Sequence, residues 1–231
     1  HHPGTYEDWQ RFLNAGLFIP ITGGSDSHKL AREPGTPRTY VKSSVDDPGR
    51  LDAYELSDNM RAGKALPTYG PFVEVSVAKA GPGEVASVTP GEPFDLRLRV
   101  QTASWFGVDR IEIIVSGELQ RVITLSHGPE AIIDFDDVVT LTAPAEDGFV
   151  TVLAIGTEKR NLMRPVELDI PFGELAIPKV VSLAFGSLPL PPVLDPATLG
   201  LTPSPDIPDY DPVFPLAITN AIFLDTDGDG V

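Results

Sequence analysis

The segment Thr22-Gly23-Gly24-Ser25-Asp26-Ser27-His28 holds the residue types best suited to chemistry. A carboxylate and an imidazole stand two residues apart, just after two glycines that free the backbone to turn sharply. In an extended or irregular loop, residues i and i+2 can face the same way. Asp26 and His28 could therefore bind one metal ion, or two adjacent ones. A carboxylate with a neutral imidazole suits Zn, Mn or Fe better than Ca. Two donors are fewer than the three or four a site needs, so spacing alone leaves a second reading open. In that reading Asp26 caps a turn and His28 lies on the surface.

The elements around this loop must position it. Thr5-Tyr6-Glu7-Asp8 has the form of a capping box, and Tyr6, Trp9, Phe12 and Leu13 follow at helical spacing, with Gly16 as the stop. Leu17 to Thr22 is an apolar run of strand length that delivers the loop. A second helix is expected within Asp52 to Ala62, with Ala53, Leu56 and Met60 as its stripe and Gly63 as its end. From about Gly70 the apolar period changes to two. Val73, Val75 and Val77, then Phe94, Leu96, Leu98 and Val100, then Ile111, Ile113 and Val115 alternate with polar residues. Phe149 to Ile155 is a candidate central strand, and turn signals such as Thr89-Pro90-Gly91 and Ser116-Gly117 punctuate the runs. The pattern predicts an antiparallel β-sandwich. Pro189 to Pro215 reads as an extended surface segment, and Phe214 to Leu224 as a last strand-like stretch.

Composition removes several function classes. Lys plus Arg is 17 against 33 Asp plus Glu, for a net charge of -16, so unaided nucleic-acid binding is not expected. With no cysteine there are no disulfides, thiolate nucleophiles or Cys-based zinc sites. No apolar run is long enough for a membrane-spanning helix. The chain begins with His1-His2 rather than Met and reads as a fragment or processed piece. The compartment stays open, with an acidic, proline-rich composition favouring an extracellular or periplasmic location.

Longer stretches carry a resemblance. They are Gly16 to His28, Gly35-Thr36-Pro37-Arg38-Thr39-Tyr40-Val41, Arg61-Ala62-Gly63-Lys64, Thr68-Tyr69-Gly70-Pro71-Phe72 and the closing Ile218 to Asp225. Together they resemble the C-terminal part of PHP-superfamily metallohydrolases, most closely the carbaryl-hydrolase-like (CehA/McbA) branch. The resemblance implies that residues 1–69 are the end of a distorted β/α barrel, with residues 70–231 an accessory β-sandwich and proline-rich tail. It places the family's last metal-binding motif, Asp-x-His, on Asp26 and His28. It also implies a divalent transition metal whose bound water attacks an ester, carbamate or phosphoester of a small-molecule substrate. The family's earlier His-x-His and further His and Glu ligands have no counterpart here. The resemblance therefore implies an N-terminal part of the same protein as partner, without which this chain is inactive.

Other residues have competing readings. Arg38 could hold a substrate anion or an ion pair on the rim. Tyr40 and Tyr69 could line a pocket or sit half-buried on strands. His127 is expected in a surface turn, and Asp134, Asp136 and Asp137 on the wet side of a strand. Trp105 and Phe106 are expected to plug the end of the core. Asp225, Asp227 and Asp229 match the first half of a calcium loop, but the acid at its twelfth position would fall beyond Val231, so calcium is not expected there. The alternative from another class is a non-catalytic β-sandwich binding or cell-surface module.

Overall fold

The structure, a computed structural model, describes residues 4–26, 35–128, 131–160, 162 and 213–230. Its elements are helices α1 (Thr5–Asn14) and α2 (Ala53–Arg61) and eleven strands. The strands are β1 (Arg38–Val41), β2 (Ala65–Thr68), β3 (Phe72–Val77), β4 (Val85–Ser87), β5 (Pro93–Gln101), β6 (Arg110–Val115), β7 (Glu118–Thr124), β8 (Ile133–Thr142), β9 (Gly148–Ile155), β10 (Leu216–Ile218) and β11 (Ile222–Asp225). One sheet has eight strands and the other, β3-β5-β8, has three. Pairing is antiparallel except between β4 and β11.

The alternating strands meet face to face. Phe94, Leu96, Leu98 and Val100 of β5 bury against Ile111, Ile113 and Val115 of β6 and Val150, Val152 and Ala154 of β9. The other side of β5 is wet, where Arg97 and Arg99 pair with Asp136, and Arg99 reaches Glu74 at 3.5 Å. The apolar run Phe149 to Ile155 is central because β9 is covered on both faces and paired on both edges. β6 runs along one edge, while β10 and β11 lie end to end along the other. Helix α1 covers the outer face of β9, with Trp9 and Leu13 packed on Phe149 and Ala221.

The barrel expectation for residues 1–69 is overturned. A β/α barrel needs parallel strands joined by helices, but β1 and β2 form an antiparallel hairpin. β2 then pairs antiparallel with β10 through Thr68 and Ala217, so the hairpin extends the larger sheet of the sandwich. Leu17 to Thr22 is extended but belongs to no strand. Strand propensity cannot make a strand without a neighbouring ladder, and no described segment supplies one.

The two expected helices form with small shifts. The cap of α1 moves to Gly4, whose N–H donates to the Glu7 carboxylate at 2.6 Å. Asp52 caps α2 by accepting from Tyr54 N–H at 2.8 Å, yet no α2 residue is fully buried, and of its apolar stripe only Leu56 is half-buried. Arg160 and Val213 form an antiparallel bridge that joins the chain on either side of residues 161–212. The expected extended segment from Pro189 lies outside the described residues up to residue 212. Among the described residues no helix is long and apolar enough to cross a membrane.

Candidate functional site

The loop that holds Asp26 is reached through a segment pinned by side chains instead of a ladder. Trp9 donates its indole N–H to the Ile19 carbonyl at 2.7 Å. Asn220, wholly buried, accepts from Ile21 N–H at 2.8 Å and donates to the carbonyls of Ile21 at 3.1 Å and Ala65 at 2.9 Å. Asn220 sits in the break between β10 and β11, where the sheet edge of β9 changes partners. There its amide replaces the strand bonds that the 17–22 segment lacks. The sequence offered one signal, a polar Thr-Asn pair between two apolar halves of Leu216 to Leu224, but not its partners.

The next contact fixes the start of the loop. The Thr39 hydroxyl accepts from Gly23 N–H and donates to the Gly23 carbonyl, both at 2.8 Å. A Cβ at Gly23 would stand 3.0 Å from the Arg38 carbonyl, so the close approach to β1 favours glycine. Thr22, Gly23 and Gly24, together with Tyr6, Trp9 and Tyr69, line a cleft of about 380 Å3. Asp26 follows, exposed, with a left-handed φ of 47°, a conformation that aspartate tolerates better than most residues. His28, with Ser27, Lys29 and Arg32, lies outside the described residues.

Arg38 and Tyr40 stand on the face of β1 opposite Thr39, as strand alternation requires. The Arg38 guanidinium lies 5.4 Å from the Tyr40 ring centre, and Tyr40 meets Phe72 edge-on at 5.2 Å. Neither lines the cleft that Gly23 and Gly24 share with Tyr69. Of the expected site residues, the cleft thus takes Tyr69 and leaves Arg38 and Tyr40 against each other.

Two further clusters emerge. His127, expected on a surface turn, has a side chain only 10% exposed. Its Nδ1 meets the Asp134 carboxylate and its Nε2 faces the Ser104 carbonyl at 2.9 Å. Asp134, expected on the wet side of β8, is buried instead and also accepts from the Thr102 hydroxyl at 2.6 Å. Alternation failed as a guide there because the polar pair satisfies itself inside. Phe106 plugs the core as expected, while Trp105 remains half-exposed with its indole N–H on the Leu162 carbonyl.

At the chain end, Asp147, from the turn before β9, joins Asp225 and Asp227, with ligand atoms within 4.8 Å of one another. Three carboxylates are hard oxygen donors of the kind divalent cations use. Each is also engaged locally. Asp147 accepts from the Thr226 N–H and hydroxyl, which hold its carboxyl below the usual range, and Asp225 and Asp227 accept from Gly228 and Asp229 N–H.

No family model matches the chain, and neither a curated protein nor a solved structure matches it.

Proposed function

We propose that this chain is the C-terminal portion of a metal-dependent hydrolase, to which it contributes Asp26 and His28 as ligands. The observation that carries the reading is the anchoring of the Thr22–Asp26 loop. Its stem is fixed by Trp9, Asn220 and Thr39, while the apolar Leu17 and Ile19 beside it stay half-exposed and the segment has no ladder neighbour among the described residues. A loop whose start is held at Gly23, on a stem with no ladder neighbour among the described residues, suits a site completed by another part of the protein. Asp26 and His28 fit a transition metal in kind, as carboxylate and imidazole, and fall short of it in number.

Such a metal, when bound, supplies a water that loses its proton near neutral pH for attack on an ester, carbamate or phosphoester. The part played by this chain is to hold the ion through Asp26 and His28. Thr39 and Asn220 keep the loop stem in place. The missing donors come from the N-terminal part of the same protein, so the chain by itself is inactive.

The test uses the complete protein. Asp26→Ala and His28→Ala should each release bound metal, read by elemental analysis, and stop hydrolysis of p-nitrophenyl acetate or bis-p-nitrophenyl phosphate. Metal content unchanged in both variants overturns the proposal. A second reading, a non-catalytic binding module, draws on the sandwich itself, whose two sheets account for every described strand. It predicts a complete protein that folds without metal and hydrolyses neither ester.

A further inference from the structure

Helix α1 is flanked by a second and larger cleft, of about 780 Å3, on the outer face of the eight-stranded sheet. Its volume lies within the range of small-molecule sites. Strand alternation explains its floor: Ile111, Ile113 and Val115 of β6 point into the sandwich, so Ile114 points outward beside Leu153 and Ile155 of β9. Tyr6 and Phe214 add aromatic surface. The cleft shares Tyr6 and Leu216 with the one beside Gly23 but includes neither that glycine nor Asp26.

Three polar groups in this cleft are incompletely satisfied, those of Gln10, Arg110 and Ser116, whose buried hydroxyl has no hydrogen-bond partner. Gln10 is only 5% exposed and donates through Nε2 to the Thr151 hydroxyl at 3.3 Å, but its Oε1 has no hydrogen-bond partner. Arg110 pairs with Glu112 at 3.1 Å through one terminal nitrogen, while its buried Nε also lacks a partner. A buried acceptor without a donor destabilises the fold, and a ligand that supplies the donor removes that cost. The charges lining the cleft are Glu7, Glu112 and Glu118 against Arg11 and Arg110, a weakly acidic balance that does not select an anion. Arg110 pairs with Glu112, and Arg11 with Asp8 outside the lining.

The geometry points to a binding site for one ring of a neutral saccharide. Sugar hydroxyls are both donors and acceptors and meet Gln10 Oε1 and Arg110 Nε, both closed to solvent here, once those side chains turn into the cleft. The C–H face of a sugar ring suits the aliphatic floor and the neighbouring aromatic rings. The inference uses neither Asp26 nor His28 and stands whether or not the protein is a hydrolase.

The test is a titration of the 15N-labelled chain with D-glucose, D-galactose, D-mannose and D-xylose, followed by amide chemical shifts. At least one sugar should shift amides of α1, β6 and β9 together, with a Kd on the order of 1–10 mM, as expected for a single ring. Gln10→Leu and Arg110→Leu should each weaken that binding roughly tenfold, the loss of about one hydrogen bond. Arg110 is a half-exposed strand residue, so its variant keeps the test open if Gln10→Leu does not fold. No shift with any of the four sugars, shifts confined to other surfaces, or undiminished binding in a folded variant overturns the inference.

Discussion

Replacing Asn220 with alanine removes three hydrogen bonds at once, those to Ile21 N–H, the Ile21 carbonyl and the Ala65 carbonyl. Ala65 is buried, so its carbonyl finds no water and its loss costs about 1–3 kcal/mol, while the two half-buried Ile21 bonds are worth about 0.5–1.5 kcal/mol each. The sum is about 2–6 kcal/mol. In a domain of this size each kcal/mol moves Tm by about 2–4 °C, so Asn220→Ala should melt roughly 5–20 °C lower. The loss divides between two processes. If the 17–22 segment peels off before the sandwich opens, part of the cost appears as local opening. Urea unfolding therefore needs hydrogen exchange beside it, with Ile21 and Gly23 amides exchanging faster than those of β9. Asn220→Asp separates the acceptor from the donor role of the amide. It keeps an acceptor for Ile21 N–H, loses the donor to both carbonyls and buries a charge. Burial raises the pKa of that carboxyl, so the variant should gain stability as pH falls and the group becomes neutral. An Asn220→Ala loss below about 1 kcal/mol, with Ile21 exchange unchanged, would show that the side chain does not hold the loop stem.

Two titratable groups give opposite pH signatures. Glu84 takes Gly81 N–H at 2.9 Å, Lys64 at 3.0 Å and Lys42 at 3.4 Å, and the Gly81 bond, followed by the lysines, lowers its pKa from 4.5 to about 2. Its contribution is complete above pH 4.5 and fades as pH falls through about 2. Glu84→Gln should cost about 1–2 kcal/mol near neutrality after solvent screening and flatten the acid limb of a denaturation profile, while an unchanged limb would refute the assignment. Burial draws the pKa of His127 down, but the Ser104 carbonyl and the Asp134 carboxylate outweigh it and the nearby Arg160, so the net shift is upward from 6.5. A raised value means stability that is full below pH 6.5 and lost as pH rises through the folded pKa. His127→Gln should remove that decline, and an imidazole titrating at or below 6.5 by NMR would contradict it.

What was legible in the sequence is what depends on local pattern. The period-two runs of β3, β5 and β6 gave their inward faces, because alternation is fixed by backbone geometry. Phe149 to Ile155 declared itself central because only a strand buried on both faces tolerates an apolar run. Long-range pairing was not legible. Nothing in Ala65-Leu66-Pro67-Thr68 names Leu216 to Ile218 as its neighbour, so local pattern cannot correct the barrel that the resemblance implies to a hairpin of the larger sheet. Buried polar groups were equally hidden. His127 and Asp134 look like surface residues in a turn and a strand until they are seen to satisfy each other. At the candidate site the loop composition was legible, whereas the roles of Asn220 and Thr39, which depend on partners far along the chain, were not.

The same division explains why the loop stem carries more weight than the loop. A run such as Leu17 to Thr22 has the apolar content of a strand and, in isolation, half-exposed side chains and unladdered backbone that the fold would be expected to bury or pair. Here three unrelated side chains, from α1, β1 and the β10–β11 break, converge on it and meet its backbone at Ile19, Ile21 and Gly23. Hydrogen bonds from distant elements are worth their entropy only if they hold the segment in one place. Leu17 and Ile19 remain half-exposed while the backbone between them and Asp26 is fixed. The anchoring at Ile21 and Gly23 ties the start of the Asp26 loop to β1 and to the break in the sheet where Asn220 sits.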